Sequence, residues 1–167
     1  MNYFGIIPAD IANGVGFRVS LFVSGCTVGC PGCHNPEAQN FCYGREFDDD
    51  AKENLIRLLD KPWVKGLTLT GGHPLEKDTI EDVSKLVFEI KDRFPEKDIW
   101  MYTGWTLSYE EIARSDLLKA CDVMVDGPYV ENLRDVSLAF RGSSNQRIID
   151  VKQTINDGKI VEVKTFE

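Results

Sequence analysis

The apolar positions of this chain change period along its length, and each change marks an element. Residues 17–24, FRVSLFVS, are rich in β-branched and aromatic side chains and stop at Gly25, as a strand does. Residues 48–60 begin with three acidic residues, carry Leu55, Ile56, Leu58 and Leu59, and end before Pro62, which predicts a helix. Residues 65–70 form a short strand closed by Gly71-Gly72. In residues 81–94, Val83, Leu86, Val87, Ile90 and Phe94 fall at spacings of three and four, the stripe of an amphipathic helix. DIWMYT (98–103) is a strand, Ser108 with Glu111 is a capping box opening a short helix, and DVMVD (122–126) is a further strand closed by Gly127-Pro128. The tail, VKQTI followed by Asn156-Asp157-Gly158 and KIVEVK, reads as a β-hairpin over 151–165.

Strand and helix alternate, which predicts an α/β fold with a parallel sheet. The segments after the predicted strands then share the edge where such folds place ligands and catalytic groups. No repeat, low-complexity tract or linker interrupts the 167 residues, so a single domain over 1–167 is expected. No apolar run approaches the ~20 residues a bilayer span needs. The net charge of −8 disfavours a nucleic acid partner. The N-terminus lacks a basic flank followed by an apolar stretch, and the cysteines number five, an odd count. Both point to a reducing cytoplasm and away from a disulfide framework.

Three of those cysteines crowd into SGCTVGCPGCHNP (24–36), where Cys26, Cys30 and Cys33 stand at C-x3-C-x2-C with no fourth beside them. A structural zinc site wants four ligands, commonly two separated pairs. His34, His73, Cys42 or Cys121 could complete one, in which case the chain is a small zinc-binding interaction module. A [4Fe-4S] cluster is usually held by four thiolates, so three leave one iron open. The glycines among them, Gly25, Gly29 and Gly32, let a loop wrap closely round a cluster. On this reading the missing fourth ligand is a functional vacancy. Cys42 and Cys121 then read as a surface thiol or small apolar filler.

The triplet after one strand and Gly-Gly-x-Pro after the next resemble the radical S-adenosylmethionine enzymes. PADIANGVGFRVSLFVSGC, CPGCHNP, GLTLTGGHPL, KDIWMYTGW, VMVDGPYV and RGSSNQRI follow in that order. Together they are similar to the activating proteins of anaerobic, class III ribonucleotide reductases, over roughly residues 1–149. The activases of pyruvate formate-lyase share the triplet and the CHN continuation and are the alternative.

The resemblance implies a short, incomplete (βα) barrel with an open side. It implies a [4Fe-4S] cluster on Cys26, Cys30 and Cys33, with S-adenosylmethionine chelating the open iron. A reduced cluster cleaves the sulfonium, and the 5′-deoxyadenosyl radical takes hydrogen from a glycine Cα of the reductase. The electron comes from reduced flavodoxin or a similar donor. Gly32, Cys33 and His34 are expected along the adenine side, and Gly71 and Gly72 at the methionine end. Thr103, Gly104 and Asp126 are expected to line the cavity. His73 stands where the family usually has a carboxylate that accepts from the cofactor's amino group. A neutral imidazole there still accepts one hydrogen bond, or the contact passes to a backbone carbonyl of Gly71 or Gly72. Arg141, Asn145, Gln146 and Arg147 are placed to close the site or to meet the partner, and Arg18, inside an apolar strand, needs a buried partner.

Overall fold

In the computed structural model, residues 1–163 and 166 are described. The strands are β1 (Asn2–Asp10), β2 (Arg18–Val23), β3 (Arg45–Glu46), β4 (Gly66–Gly71), β5 (Asp98–Tyr102), β6 (Val123–Asp126) and β7 (Arg147–Asp150). The helices are α1 (Asp49–Leu59), α2 (Ile80–Arg93), α3 (Tyr109–Arg114), α4 (Asp116–Ala120) and α5 (Val151–Asp157). All seven strands form one sheet in the order β3-β1-β2-β4-β5-β6-β7. β2, β4, β5 and β6 run parallel, as the alternation of elements requires, and all four end at one edge. β1 and β7 are antiparallel additions beside β2 and β6. The sequence pattern hides β1 because Gly5 and Pro8 break its alternation, and its pairing with β2 carries two register shifts there.

The alternating positions of the central strands build two different faces. Val19, Leu21 and Val23 of β2, Leu67 and Leu69 of β4, and Ile99 and Met101 of β5 are fully buried in the main core. They pack with the stripe Val83, Leu86, Val87 and Ile90 of α2 and with Leu55 and Leu59 of α1. Both helix starts expected from the sequence are capped by side chains: Asp48 accepts from Ala51 N and Ser108 forms the capping box with Glu111.

The opposite face is polar at its base and aromatic higher up. Arg18, wholly buried, places its guanidinium 2.6 Å from Asp98 Oδ1. It also donates to Thr68 Oγ1 at 2.7 Å and to the Leu67 carbonyl at 2.8 Å, and lies over the Trp100 ring at 5.3 Å. Burial pulls its pKa down and the Asp98 carboxylate opposes that. This is the partner that an inward arginine demanded, and it ties β2, β4 and β5 together.

The tail departs from the expected hairpin. Val151–Asp157 is the helix α5, while residues 164 and 165 lie outside the described residues. Asp150 caps the helix by accepting from Gln153 N at 2.8 Å, and Val151 and Thr154 turn into the core. Asn156-Asp157-Gly158 is a helix stop: Gly158, at φ 67°, takes the left-handed conformation after the last turn. The chain does return along β7, with Asp150 N donating to the Val161 carbonyl and Ile149 bridging Glu162. Cap, buried stripe and left-handed glycine together decide for helix, where a two-residue turn alone had predicted strands.

Two stability outcomes follow. Arg18→Ala leaves the Asp98 carboxylate without its cation and removes the donors to the Thr68 hydroxyl and the Leu67 carbonyl, and should cost about 2–4 kcal/mol in urea unfolding. Asp150→Ala should cost about 1 kcal/mol and reduce helical circular dichroism, the signature of a lost N-cap; a wild-type unfolding midpoint would show that residue 150 caps nothing.

Candidate functional site

A cavity of about 570 Å³ opens at the edge where the parallel strands end. Its size is that of a pocket for a nucleoside-sized ligand. The loop after β2 contributes Cys26, Val28, Cys30, Gly32, Cys33 and His34 to its lining. Thr70, Gly71 and Gly72 come from the end of β4, Tyr102, Thr103 and Gly104 from the end of β5, and Gly127 and Tyr129 from beyond β6. Ala12 and Asn13 of the loop between β1 and β2 complete the near side, and a flap formed by residues 128–146 crosses the far side.

All five cysteines are unpaired, and only the expected three reach the cavity: each is partly exposed, whereas Cys42 lies on the surface and Cys121 in the core. Burial pushes the Cys121 thiol up to about 12, which makes it an inert filler. The loop is short and clipped. Gly25 N donates to the Ala38 carbonyl, Cys26 N to the Gln39 carbonyl and Cys33 N to the Cys30 carbonyl. Burial raises the Cys26 thiol, while the nearby backbone N–H groups of Val28 and Gly29 work the other way. Such donors favour a thiolate held by a metal.

The chemistry of this donor set fits a [4Fe-4S] cluster. Three soft thiols line one cavity, and no fourth cysteine does. Among the described residues, no three Cys, His, Asp or Glu side chains gather as they would for a single ion. In a cubane each thiolate takes a different iron. Space remains beside them within the same cavity for the group that would complete the fourth iron.

The two glycines after β4 are required first by the protein itself. A Cβ on Gly72 would stand 2.6 Å from the Gly25 carbonyl oxygen, and one on Gly71, at φ 101°, 2.7 Å from the Val23 carbonyl oxygen. His73 N donates to that Gly25 carbonyl at 2.8 Å. The glycine turn and the cysteine loop are thus one interlocked unit.

His73 is placed otherwise than expected. Its side chain is 1% exposed and does not line the cavity. Nδ1 lies 3.0 Å from Glu76 Oε1 and Nε2 2.7 Å from Thr103 Oγ1, with the ring edge-on to Trp105. Burial lowers its pKa against the pull of Glu76, so the imidazole is neutral. The ring therefore does not border the cavity, and Gly71 and Gly72 of this turn do. Position in a motif named the residue; tertiary packing aimed the ring elsewhere.

Asp126 also turns away from the cavity. Wholly buried, it accepts from Leu107 N at 2.8 Å and pairs with Arg147 through Nε at 3.0 Å and Nη2 at 2.5 Å. A buried carboxylate takes the strongest bidentate partner within reach. Arg141 and Gln146 line the cavity, and much of the RGSSNQR segment also folds the flap onto the sheet. Arg141 donates to the Gln146 carbonyl, Gln146 Nε2 to the Gly127 carbonyl and Asn145 to the Pro128 carbonyl. Thr103 and Gly104 line the cavity as expected.

The sequence reading missed Tyr102, Tyr129, Val28 and Phe140 on the lining, and Glu76 behind it. Tyr102 was visible as a polar-tipped residue ending a strand, and its hydroxyl donates to the Phe140 carbonyl at 2.7 Å. Phe140, at φ 56°, is the one described non-glycine residue in a left-handed conformation, held on the cavity rim by that bond and by the Trp100 ring. No local pattern announces such a residue.

Comparison with known proteins agrees with this site. The family model of a 4Fe-4S single cluster domain matches residues 12–149. The anaerobic ribonucleoside-triphosphate reductase-activating protein of Enterobacteria phage T4 is 46% identical over 148 residues, covering 89% of this chain and 93% of its own. The proteins of the same name from Escherichia coli (strain K12) and Haemophilus influenzae are each 41% identical, over 87% and 89% of this chain and 96% and 97% of theirs. The matched region takes in the cysteine loop, the glycine turn, the strand ends and the flap, and by it the chain belongs to the family of anaerobic ribonucleoside-triphosphate reductase-activating proteins.

Proposed function

We propose that this chain is a radical S-adenosylmethionine activase that generates a glycyl radical on an anaerobic ribonucleoside-triphosphate reductase. One observation carries the reading: three thiols, and no fourth, line a single cavity at the ends of four parallel strands. Cys26, Cys30 and Cys33 would hold a [4Fe-4S] cluster, and the space beside them would take S-adenosylmethionine. When bound, this pair of cofactors supplies one-electron cleavage of the sulfonium and a 5′-deoxyadenosyl radical that removes a hydrogen atom from a glycine Cα.

The chain's own part is to hold, orient and shield. Gly32, Cys33 and His34 run along the nucleoside. The backbone of Gly71 and Gly72, which borders the cavity where His73 does not, would take the cofactor's amino group. Thr103 and Gly104 form the wall beside the nucleoside. Tyr102 and Phe140 present apolar surface that would keep water from a reactive radical. Asp126 serves indirectly, by fixing the flap through Arg147.

The sheet, unclosed between β3 and β7, works as an incomplete barrel of one radical S-adenosylmethionine domain. Its open side admits a peptide loop, since the strand ends are committed to cofactors and the substrate must bring much of its own binding surface. A glycine suits the reaction because its Cα radical is delocalised over the amide and no side chain hinders approach. We place the protein in the cytoplasm, where five unpaired cysteines stay reduced and a reduced flavodoxin or similar donor supplies the electron. Among the described residues, no helix is long and apolar enough to cross a membrane.

The decisive experiment is anaerobic reconstitution with iron and sulfide, followed by S-adenosylmethionine, a strong reductant and an anaerobic reductase. A doublet glycyl-radical signal should form with about one 5′-deoxyadenosine per radical, by simple stoichiometry. A signal on pyruvate formate-lyase alone would reassign the partner, and a protein that takes up zinc and stays colourless would end the cluster reading. In the same assay Cys26→Ala, Cys30→Ala and Cys33→Ala should each abolish 5′-deoxyadenosine formation, while Cys42→Ala and Cys121→Ala retain it. Full cofactor cleavage by Cys30→Ala would remove that residue from the cluster.

A further inference from the structure

A buried chain of hydrogen bonds runs behind the cavity, from the cysteine loop to the end of β5. At its centre is Glu76, 6% exposed, on the turn that follows Gly72. One oxygen of this carboxylate, Oε1, accepts from Thr27 N at 2.7 Å, from Thr27 Oγ1 at 2.8 Å and from His73 Nδ1 at 3.0 Å. Thr27 directly follows Cys26. On the far side, His73 Nε2 meets Thr103 Oγ1 at 2.7 Å, and Thr103 Oγ1 accepts from Trp105 N at 3.1 Å.

The partners leave one arrangement of protons. An ionised carboxylate only accepts, so Nδ1 of His73 carries its proton toward Glu76. Nε2 is then a lone pair, and the Thr103 hydroxyl must donate to it. The same hydroxyl oxygen receives the Trp105 N–H. Each of these polar atoms is satisfied with a neutral imidazole and a negative Glu76. Burial works against that negative charge, but the Thr27 and His73 hydrogen bonds hold the carboxyl below its usual range.

We propose that Glu76 is a positioning residue for the cluster. Its carboxylate fixes the loop between Cys26 and Cys30 and, through His73, joins that loop to the cavity wall at Thr103. Its buried charge holds down the reduction potential of a cluster on the three thiols, because adding an electron beside a fixed negative charge is disfavoured. His73 is the rigid link in this relay, which is why a histidine serves at a position that faces away from the cavity. The inference rests on the cluster assignment above and adds a residue that touches neither cluster ligand nor cofactor.

The test is a potentiometric titration of the reconstituted full chain, with the reduced cluster read by electron paramagnetic resonance. Glu76→Gln keeps the shape of the side chain and removes its charge. It should take up iron as the wild type does and shift the midpoint positive, by about a tenfold change in the one-electron reduction equilibrium, about 59 mV. An unchanged midpoint at full iron content overturns the proposal, since a merely structural carboxylate would lower Tm and leave the potential alone. A wild-type protein that takes up no iron and gains no visible absorption defeats the cluster assignment instead, so the two failures are distinguishable. If Glu76→Gln does not fold by circular dichroism, Thr27→Val carries the test. Losing that one hydroxyl donor should raise the rate of iron release to a chelator several-fold, and release at the wild-type rate overturns the proposal.

Discussion

Parallel strands that begin in register end in register, and the site depends on that alignment. The interaction that holds it is Arg18, buried at the start of β2 and bonded to the β4 backbone, the Thr68 hydroxyl and the Asp98 carboxylate at the start of β5. A guanidinium offers five donors in a fixed plane, so one side chain can satisfy groups on neighbouring strands at set distances. Arg18 pairs with Gly66 across β2 and β4, and Gly66 in turn with Asp98 across β4 and β5. With the starts of three strands pinned, their ends deliver the cysteine loop, the glycine turn and the Thr103-Gly104 corner to one cavity.

At that edge the structure favours backbone contact over side-chain reach. Gly71 and Gly72 press against the carbonyls of Val23 and Gly25 at distances no Cβ tolerates. The cysteine loop therefore cannot move without the turn that follows β4. Glu76 doubles this connection from behind, with two bonds to Thr27. A loop so held presents its thiols in a fixed arrangement, which lowers the entropy that metal binding must overcome. Two polar groups that look reactive in the sequence, His73 and Asp126, are spent on scaffolding instead of the cavity lining.

The far side is governed by the flap. Its anchors are the Asp126–Arg147 pair, the amide of Gln146 on the Gly127 carbonyl and the Tyr102 hydroxyl on the Phe140 carbonyl. They fix its two ends to β5 and β6, while Val136 near its middle is 83% exposed. A flap anchored at the ends and exposed in the middle suits the proposed reaction. It covers one side of the cavity and keeps its middle exposed to solvent.

The sequence alone determined most of the central architecture and the chemistry. Strand and helix identity follow from periods of two and 3.6, which are local properties of the backbone. The bounds expected for β2, β4, β5 and β6 and for α1 and α2 lie within a residue or two of those observed. The cysteine triplet was legible because metal ligation requires thiols at close spacing, and spacing survives in sequence. Tertiary structure decided the rest. β1 was hidden by its own bulges, and the tail became α5 once Val151 and Thr154 could bury against the core and Asp150 could cap it. Whether the His73 ring entered the cavity depended on Glu76 and on Thr103, thirty residues away. Whether Asp126 met a ligand or an arginine depended on β7 arriving antiparallel beside β6. A side chain's direction is set by the competition among all partners within reach, and those partners are assembled only when the chain has folded.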